Sequence, residues 1–173
     1  NFLKNTSGAK VTKADRAAKI LILTLSSGYT LLIHLKMTGQ LIFRAKDGNT
    51  KMGGHPWPKP GVSVPSYDDC SALSVRGLPN KWTHAIIHFA DGSKLYFNDL
   101  RQFGYLKLLP TEEVAKQKEI AQLGPEPLDE NFTTEKFSQM LKKRAKAKIK
   151  PLLMDQNFLS GIGNIYADEI LFI

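Results

Sequence analysis

Gly161, Gly163 and Asn164 stand just before a helix-forming stretch. Two glycines let backbone approach a ligand without a Cβ clash, and the free amides at a helix start favour an anion, so a phosphate suits this turn. A second string, His34-Leu35-Lys36-Met37-Thr38-Gly39, ends a strand in a turn carrying a flexible apolar Met. An exposed Met can wedge between bases and hold a bent duplex. A third, Asn98-Asp99-Leu100-Arg101-Gln102-Phe103-Gly104, sets a guanidinium two residues from an aromatic ring. With both pointing outward, Arg101 can hydrogen-bond an orphaned base while Phe103 stacks on its neighbour. Each string also has a plainer reading: a simple turn, a core Met, and a solvent Arg beside a core Phe. The residues alone leave both readings open.

Other polar residues offer less. His34 and His88 sit in alternating strands as structural histidines, His55 lies among prolines and glycines, and the four histidines lack metal-ligand spacing. Asp68 and Asp69 read as a solvated pair, and Ser160 lacks the strand-turn-helix setting of a nucleophile elbow. Cys70, alone, can form neither an internal disulfide nor a cysteine-only zinc site. The residues thus present no internal nucleophile and no metal site.

Charge is uneven. The chain carries 24 Lys and Arg against 16 Asp and Glu, a net +8. Residues 1–60 hold ten basic and two acidic side chains, residues 61–135 seven and eleven, and residues 136–173 seven and three. Clustered positive charge neutralises phosphates and releases their counterions, which makes nucleic acid the leading partner; the plainer alternative is a solvated basic face. The 173 residues, 42% hydrophobic and 23% charged, exclude a disordered tail and suffice for a real core. No apolar run reaches the ~18 residues of a membrane helix and no signal-peptide stretch opens the sequence, so the reading is a cytoplasmic protein away from membranes.

Strands must position the first-half residues. Ile20 to Leu25 and Thr30 to Leu35 read as one hairpin, and Ala85 to Phe89 with Lys94 to Asn98 as another across Asp91-Gly92. Shorter strands are expected at Leu41 to Arg44 and Tyr105 to Leu109. Asp47 to Pro79 holds more than half of the chain's prolines and reads as an irregular excursion without a core role. After Pro110 the pattern turns helical, with Thr111 as a cap and Gly124 as a stop. Gly124-Pro125-Glu126-Pro127 then breaks the chain and marks a boundary; the units are taken as 1–110 and 111–173. Phe137, Leu141, Ala145 and Ile149 recur every four residues, predicting one helix with a basic flank that includes Lys146 and Lys148. Pro151 suits the first turn of a short helix to Met154, and a last helix is expected from Ile165.

Five strings now stand in order: Arg16-Ala17-Ala18-Lys19 before a strand, His34 to Leu41, Asn98 to Gly104, Leu123 to Leu128, and Ile149 to Phe172. Together they resemble formamidopyrimidine-DNA glycosylase over nearly the whole chain except Asp47 to Pro79. The resemblance implies an α+β protein: an eight-stranded antiparallel β-sandwich domain followed by a helical domain whose helix, two turns, helix element grips DNA phosphates. It implies excision of oxidised purines, such as 8-oxoguanine and ring-opened formamidopyrimidines, from double-stranded DNA, then strand cleavage by β,δ-elimination. The base is flipped out first, because its reactive carbon is inaccessible in the stack. By motif, Met37, Arg101 and Phe103 resemble the residues that fill the vacated space. Lys19 and Asn164 resemble phosphate ligands beside the lesion, Lys19 also assisting proton transfer as a catalytic residue, and Lys150 stands where the family has a lysine near the damaged base. The resemblance further implies a bacterial monomer, associated with the nucleoid when acting.

Departures are equally informative. The family's nucleophile is an N-terminal proline followed by glutamate, whose amine attacks the sugar, whereas this sequence opens with Asn1. The four-cysteine zinc finger is absent too, so zinc is expected in the full-length protein and no cofactor in this chain. Trp82 stands where a histidine is usual, and Gln102 where many members have a basic residue. The expectation is an internal portion of the enzyme, truncated at both ends, that binds DNA without cleaving it; the alternative is a non-catalytic nucleic-acid-binding module of the same fold.

Overall fold

The structure, a computed structural model, describes residues 1–54 and 77–172. His55, Asp68, Asp69 and Cys70 lie outside the described residues. β1 (Val11–Ala17), β2 (Ile20–Leu25), β3 (Tyr29–His34) and β8 (Tyr105–Pro110) form one antiparallel sheet in the order β1-β2-β3-β8. β4 (Gly39–Arg44), β5 (Thr50–Gly54), β6 (Thr83–His88) and β7 (Lys94–Asp99) form a second in the order β5-β4-β7-β6. The helices are α1 (Phe2–Thr6), α2 (Lys118–Ala121), α3 (Thr134–Lys142), α4 (Ile149–Met154) and α5 (Asn164–Phe172), with a 3-10 turn at Thr111–Lys116. Among the described residues, no helix is long and apolar enough to cross a membrane.

The apolar runs of β2 and β3 alternate inward and outward, and both faces are covered. Leu31 and Ile33 pack with Phe97, Leu21, Leu23 and Leu41 between the sheets. Ile20 and Leu32 face the other way, against Leu109 of β8 and Val114 and Ile120 of the segment that follows it. Burial on both sides explains why these strands are apolar throughout rather than at every second position. The helices close a separate core of Leu152, Leu153, Phe158, Leu159, Ile162 and Ala167, flanked by Phe132, Phe137 and Leu141.

Three expectations are corrected. β1 and β5 arise where no strand was expected, β5 within the stretch read as irregular. Thr111 does not cap a helix: its hydroxyl shares a hydrogen bond with Thr30 at 3.0 Å, and residues 111–121 divide into the 3-10 turn and α2. The helix expected through Ile149 ends at Lys142. A helix continuing through Pro151 would drive its ring into the carbonyl of Ala147, and Lys142/Lys146 and Arg144/Lys148 would repel at i,i+4 spacing. The chain therefore turns at 143–147 and restarts with Pro151 in the first turn of α4.

One clamp joins the sheet to the segment before α3. Arg16 of β1 makes a two-pronged contact with the Glu126 carboxylate (3.2 and 2.7 Å), which also accepts the Ala18 N–H at 2.7 Å. Gly124 fits because a Cβ there would lie 2.6 Å from the Phe158 carbonyl oxygen. Glu126→Ala should lower stability by about 1–2 kcal/mol, chiefly by stranding the Ala18 N–H, since an exposed ion pair contributes little. In thermal melts that is a drop of several degrees; an unchanged melting temperature would show the clamp to be incidental.

Candidate nucleic-acid interface

Sheet register brings the expected residues together. Gly39 opposes Asp99 across β4 and β7, and His34 opposes Tyr105 across β3 and β8. The two connections that cross between the sheets, 35–38 and 100–104, therefore leave the same end of the sandwich side by side. The β1–β2 turn carrying Lys19 lies there too, because Ile20 pairs with His34.

Met37 and Phe103 are 60% and 56% exposed, so neither belongs to the core. Arg101 donates to the Met37 sulfur at 3.4 Å, and its guanidinium lies 4.8 Å from the centroid of the Phe103 ring. Beneath them Asp99, 1% exposed, accepts from the Thr38 hydroxyl, the Arg101 N–H at 3.2 Å and the Gly104 N–H at 2.7 Å. Gly104 is required by space: a Cβ would come within 2.9 Å of both the His34 carbonyl oxygen and the Phe97 ring.

Beside Met37 opens a hollow of about 550 Å³ whose walls include Lys19, His34, Lys36, Tyr105 and Gln156. Lys19 lines it and donates to the Ile162 carbonyl at 3.0 Å. Gln156 braces the same turn, donating to the Ile162 carbonyl at 2.8 Å and accepting the Gly161 N–H at 2.9 Å. Gly163 leaves room for the Lys19 ammonium, 2.8 Å from where its Cβ would stand. Asn164 opens α5 and donates to Asp168 at 3.3 Å, while Lys150 pairs with the same carboxylate at 2.5 Å. Met37 thus touches Arg101, Arg101 reaches Phe103, and Met37 shares the hollow with Lys19, whose ammonium stands beside the turn that leads into Asn164, while Asn164 and Lys150 meet at Asp168. Burial lowers the Lys19 pKa. His34 is pushed down to about 4, first by burial and then by Lys36 and Lys19, and its Nδ1 accepts the Lys36 N–H at 2.9 Å.

A family model described as formamidopyrimidine-DNA glycosylase N-terminal domain matches residues 1–106, and one described as formamidopyrimidine-DNA glycosylase H2TH domain matches residues 123–173. The chain belongs to the formamidopyrimidine-DNA glycosylase family. Curated relatives bearing that name include those of Pelotomaculum thermopropionicum, 39% identical over 98% of this chain and 51% of the relative, and Heliobacterium modesticaldum, 39% identical over 98% and 52%. The chain spans about half the length of the curated relatives it matches. The fold is similar to that of Lactococcus lactis Fpg in complex with DNA containing an abasic site, with a TM-score of 0.69 and 28% identity over 97% of this chain and 51% of that one. A second complex of that Fpg, with DNA containing N7-benzyl-Fapy-dG, gives the same values.

Four supporting residues carry no role in the sequence reading. His34, read as structural within its strand, stands at the strand end and lines the hollow. Thr38, Asp99 and Gln156 lie inside the quoted strings but act by satisfying backbone groups, which no spacing rule reveals. Among the described residues, no three His, Cys, Asp or Glu side chains converge on a point that could hold a metal.

Neutral His34 gives a pH signature. The unfolded chain protonates this side chain near 6.5 and the folded protein resists until about 4, so stability should fall as pH drops from 6.5 towards 4. Thermal melts across that range should show the fall, and His34→Gln should flatten it. A slope unchanged in the variant would mean that His34 charges freely in the folded protein.

Proposed function

We propose that these 173 residues form the DNA-gripping and base-probing portion of a bacterial base-excision repair enzyme. Its substrate is double-stranded DNA containing oxidised purines, 8-oxoguanine or formamidopyrimidine. The whole protein, acting as a monomer in the cytoplasm at the nucleoid, flips the damaged base, breaks the N-glycosidic bond and cuts the abasic strand by β,δ-elimination. The units divide at 110/111, β-sandwich before and helices after. Flipping opens a gap in the stack that must be filled while the backbone is held, and the geometry supports a division of those tasks.

The observation that carries this reading is the exposed contact of Arg101 with both Met37 and Phe103. Apolar side chains held out in water cost free energy unless a partner covers them, and the space between unstacked bases is such a partner. The guanidinium beside them supplies donors for the orphaned base. Lys19, in the wall of the hollow, and Asn164, at the positive end of α5, take the phosphates next to the lesion. The lowered pKa of Lys19 makes its ammonium a readier proton donor during the reaction. Lys150 stands beside Asn164 for the damaged base, and Lys146 and Lys148 extend the positive surface along the preceding turn.

The test is binding of this chain to two duplexes, one intact and one carrying a stable tetrahydrofuran abasic site. The abasic duplex should bind more tightly, and Met37→Ala should remove about tenfold of that preference, about 1.4 kcal/mol, while leaving the intact duplex bound as before. Equal loss on both duplexes would mark Met37 as packing. On either duplex, Lys146→Ala with Lys148→Ala should reduce the salt slope by up to about 0.9 per lost phosphate contact; an unchanged slope would place both on a solvated face.

A further inference from the structure

The two loops that carry Met37 and Arg101-Phe103 have no hydrophobic core of their own, and three features show what holds them. First, Asp99 is all but inaccessible to water, and among the described residues it makes no ion pair. Its two oxygens are met by donors: the Thr38 hydroxyl, the Arg101 N–H and the Gly104 N–H. Second, the Thr38 hydroxyl works in both directions, donating to Asp99 and accepting the Arg101 N–H at 3.1 Å. Thr38 follows Met37 directly, so this hydroxyl ties the first loop to the second. Third, both loops contain a non-glycine residue in the left-handed region, Lys36 at φ 51° and Gln102 at φ 58°. Such conformations persist only where surrounding bonds over-determine them.

We propose that Asp99 is a positioning residue whose negative charge locks the Met37 loop and the Arg101-Phe103 loop into one unit, so that the three side chains enter the base stack together. This rests on the reading of those side chains as gap fillers. A carboxylate suits the place because each of its oxygens faces only donors; an amide of the same shape would turn an N–H group towards them and leave a donor without an acceptor. Burial pushes the Asp99 carboxyl up, but the hydrogen bonds from Thr38, Gly104, Arg101 and Gln102 outweigh it and hold the group below the usual carboxylate range. It is therefore ionised at neutral pH. From the far side, His84 Nε2 contacts the Asp99 carbonyl oxygen at 2.8 Å, so the end of β7 is fixed from both directions.

The experiment compares the wild-type chain with Asp99→Asn on three readouts: circular dichroism, affinity for intact and tetrahydrofuran-containing duplexes, and the fluorescence of 2-aminopurine placed opposite the abasic site. Asp99→Asn should keep the fold and bind the intact duplex within about twofold of wild type. It should lose about tenfold of the abasic preference, the effect of one charge-assisted hydrogen bond, together with most of the 2-aminopurine signal. Thr38→Val, which keeps the charge but cuts the link between the loops, should shift the same readouts in the same direction by less. A folded Asp99→Asn with undiminished preference overturns the proposal, as does an equal loss on both duplexes, which would reduce Asp99 to a structural role. Should Asp99→Asn fail to fold, Thr38→Val decides by the same criteria. A wild-type chain without abasic preference would instead overturn the gap-filling reading itself.

Discussion

The site depends on the antiparallel register of β4 against β7. With Gly39 opposite Asp99, the connection that enters β4 and the one that leaves β7 stand together at one end of the sandwich. A slip of one residue would turn Asp99 to the other face of its sheet and take its carboxylate away from Thr38, Arg101 and Gly104 at once. What prevents the slip is burial. Phe97 and Leu41 are paired partners that share the inter-sheet core with Leu31 and Ile33, and Ile42 and Tyr96 are paired and buried on the opposite face. Hydrophobic packing a few residues away thus sets which polar groups meet at the loop tips.

The same logic extends to the helices. Glu126 ties them to the β1–β2 turn through Arg16 and Ala18, and Lys19, the next residue, then reaches the Ile162 carbonyl. Ala18 itself has φ 50°. Among the described residues, the only non-glycine residues with positive φ are Ala18, Lys36 and Gln102, each next to a proposed DNA-contacting side chain. Strain of this kind costs about 1–3 kcal/mol per residue. Its concentration at Lys19, Met37, Arg101 and Phe103 is what a surface prepared for a ligand requires, because the side chains are aimed before the ligand arrives.

Much of the sandwich is legible in the sequence where strands bury apolar side chains. The hairpins β2–β3 and β6–β7 follow from β-rich runs and turn residues, and Gly92 indeed adopts φ 89°. β1 and β5 each lie at one edge of their sheet, as β8 and β6 do at the other, but they read differently: Val11–Ala17 is exposed along most of its length and carries Lys13, Asp15 and Arg16, while Thr50–Gly54 ends in two glycines. Polar and charged side chains along an edge discourage pairing with other chains, so the features that protect β1 and β5 also conceal them. The four-residue spacing from Phe137 to Ile149 conceals a break instead, because apolar periodicity carries no record of the proline ring that forbids a continuous helix. In the site, Met37, Arg101, Phe103, Lys19, Asn164 and Lys150 could be named from motifs. Asp99, Thr38, Gln156 and Glu126 could not, since their work is to satisfy backbone groups distant in sequence, and only the folded chain shows which groups those are.

The functional reading requires that six side chains from four separate strings meet one duplex together. Backbone amide chemical shifts, followed while the chain is titrated with a duplex containing a tetrahydrofuran abasic site, test it most directly. The largest changes should gather at Lys19, Met37, Thr38, Arg101 to Gly104, Lys150, Gly163 and Asn164. Changes confined to the outer strands β5 and β6, or scattered without a centre, would contradict it.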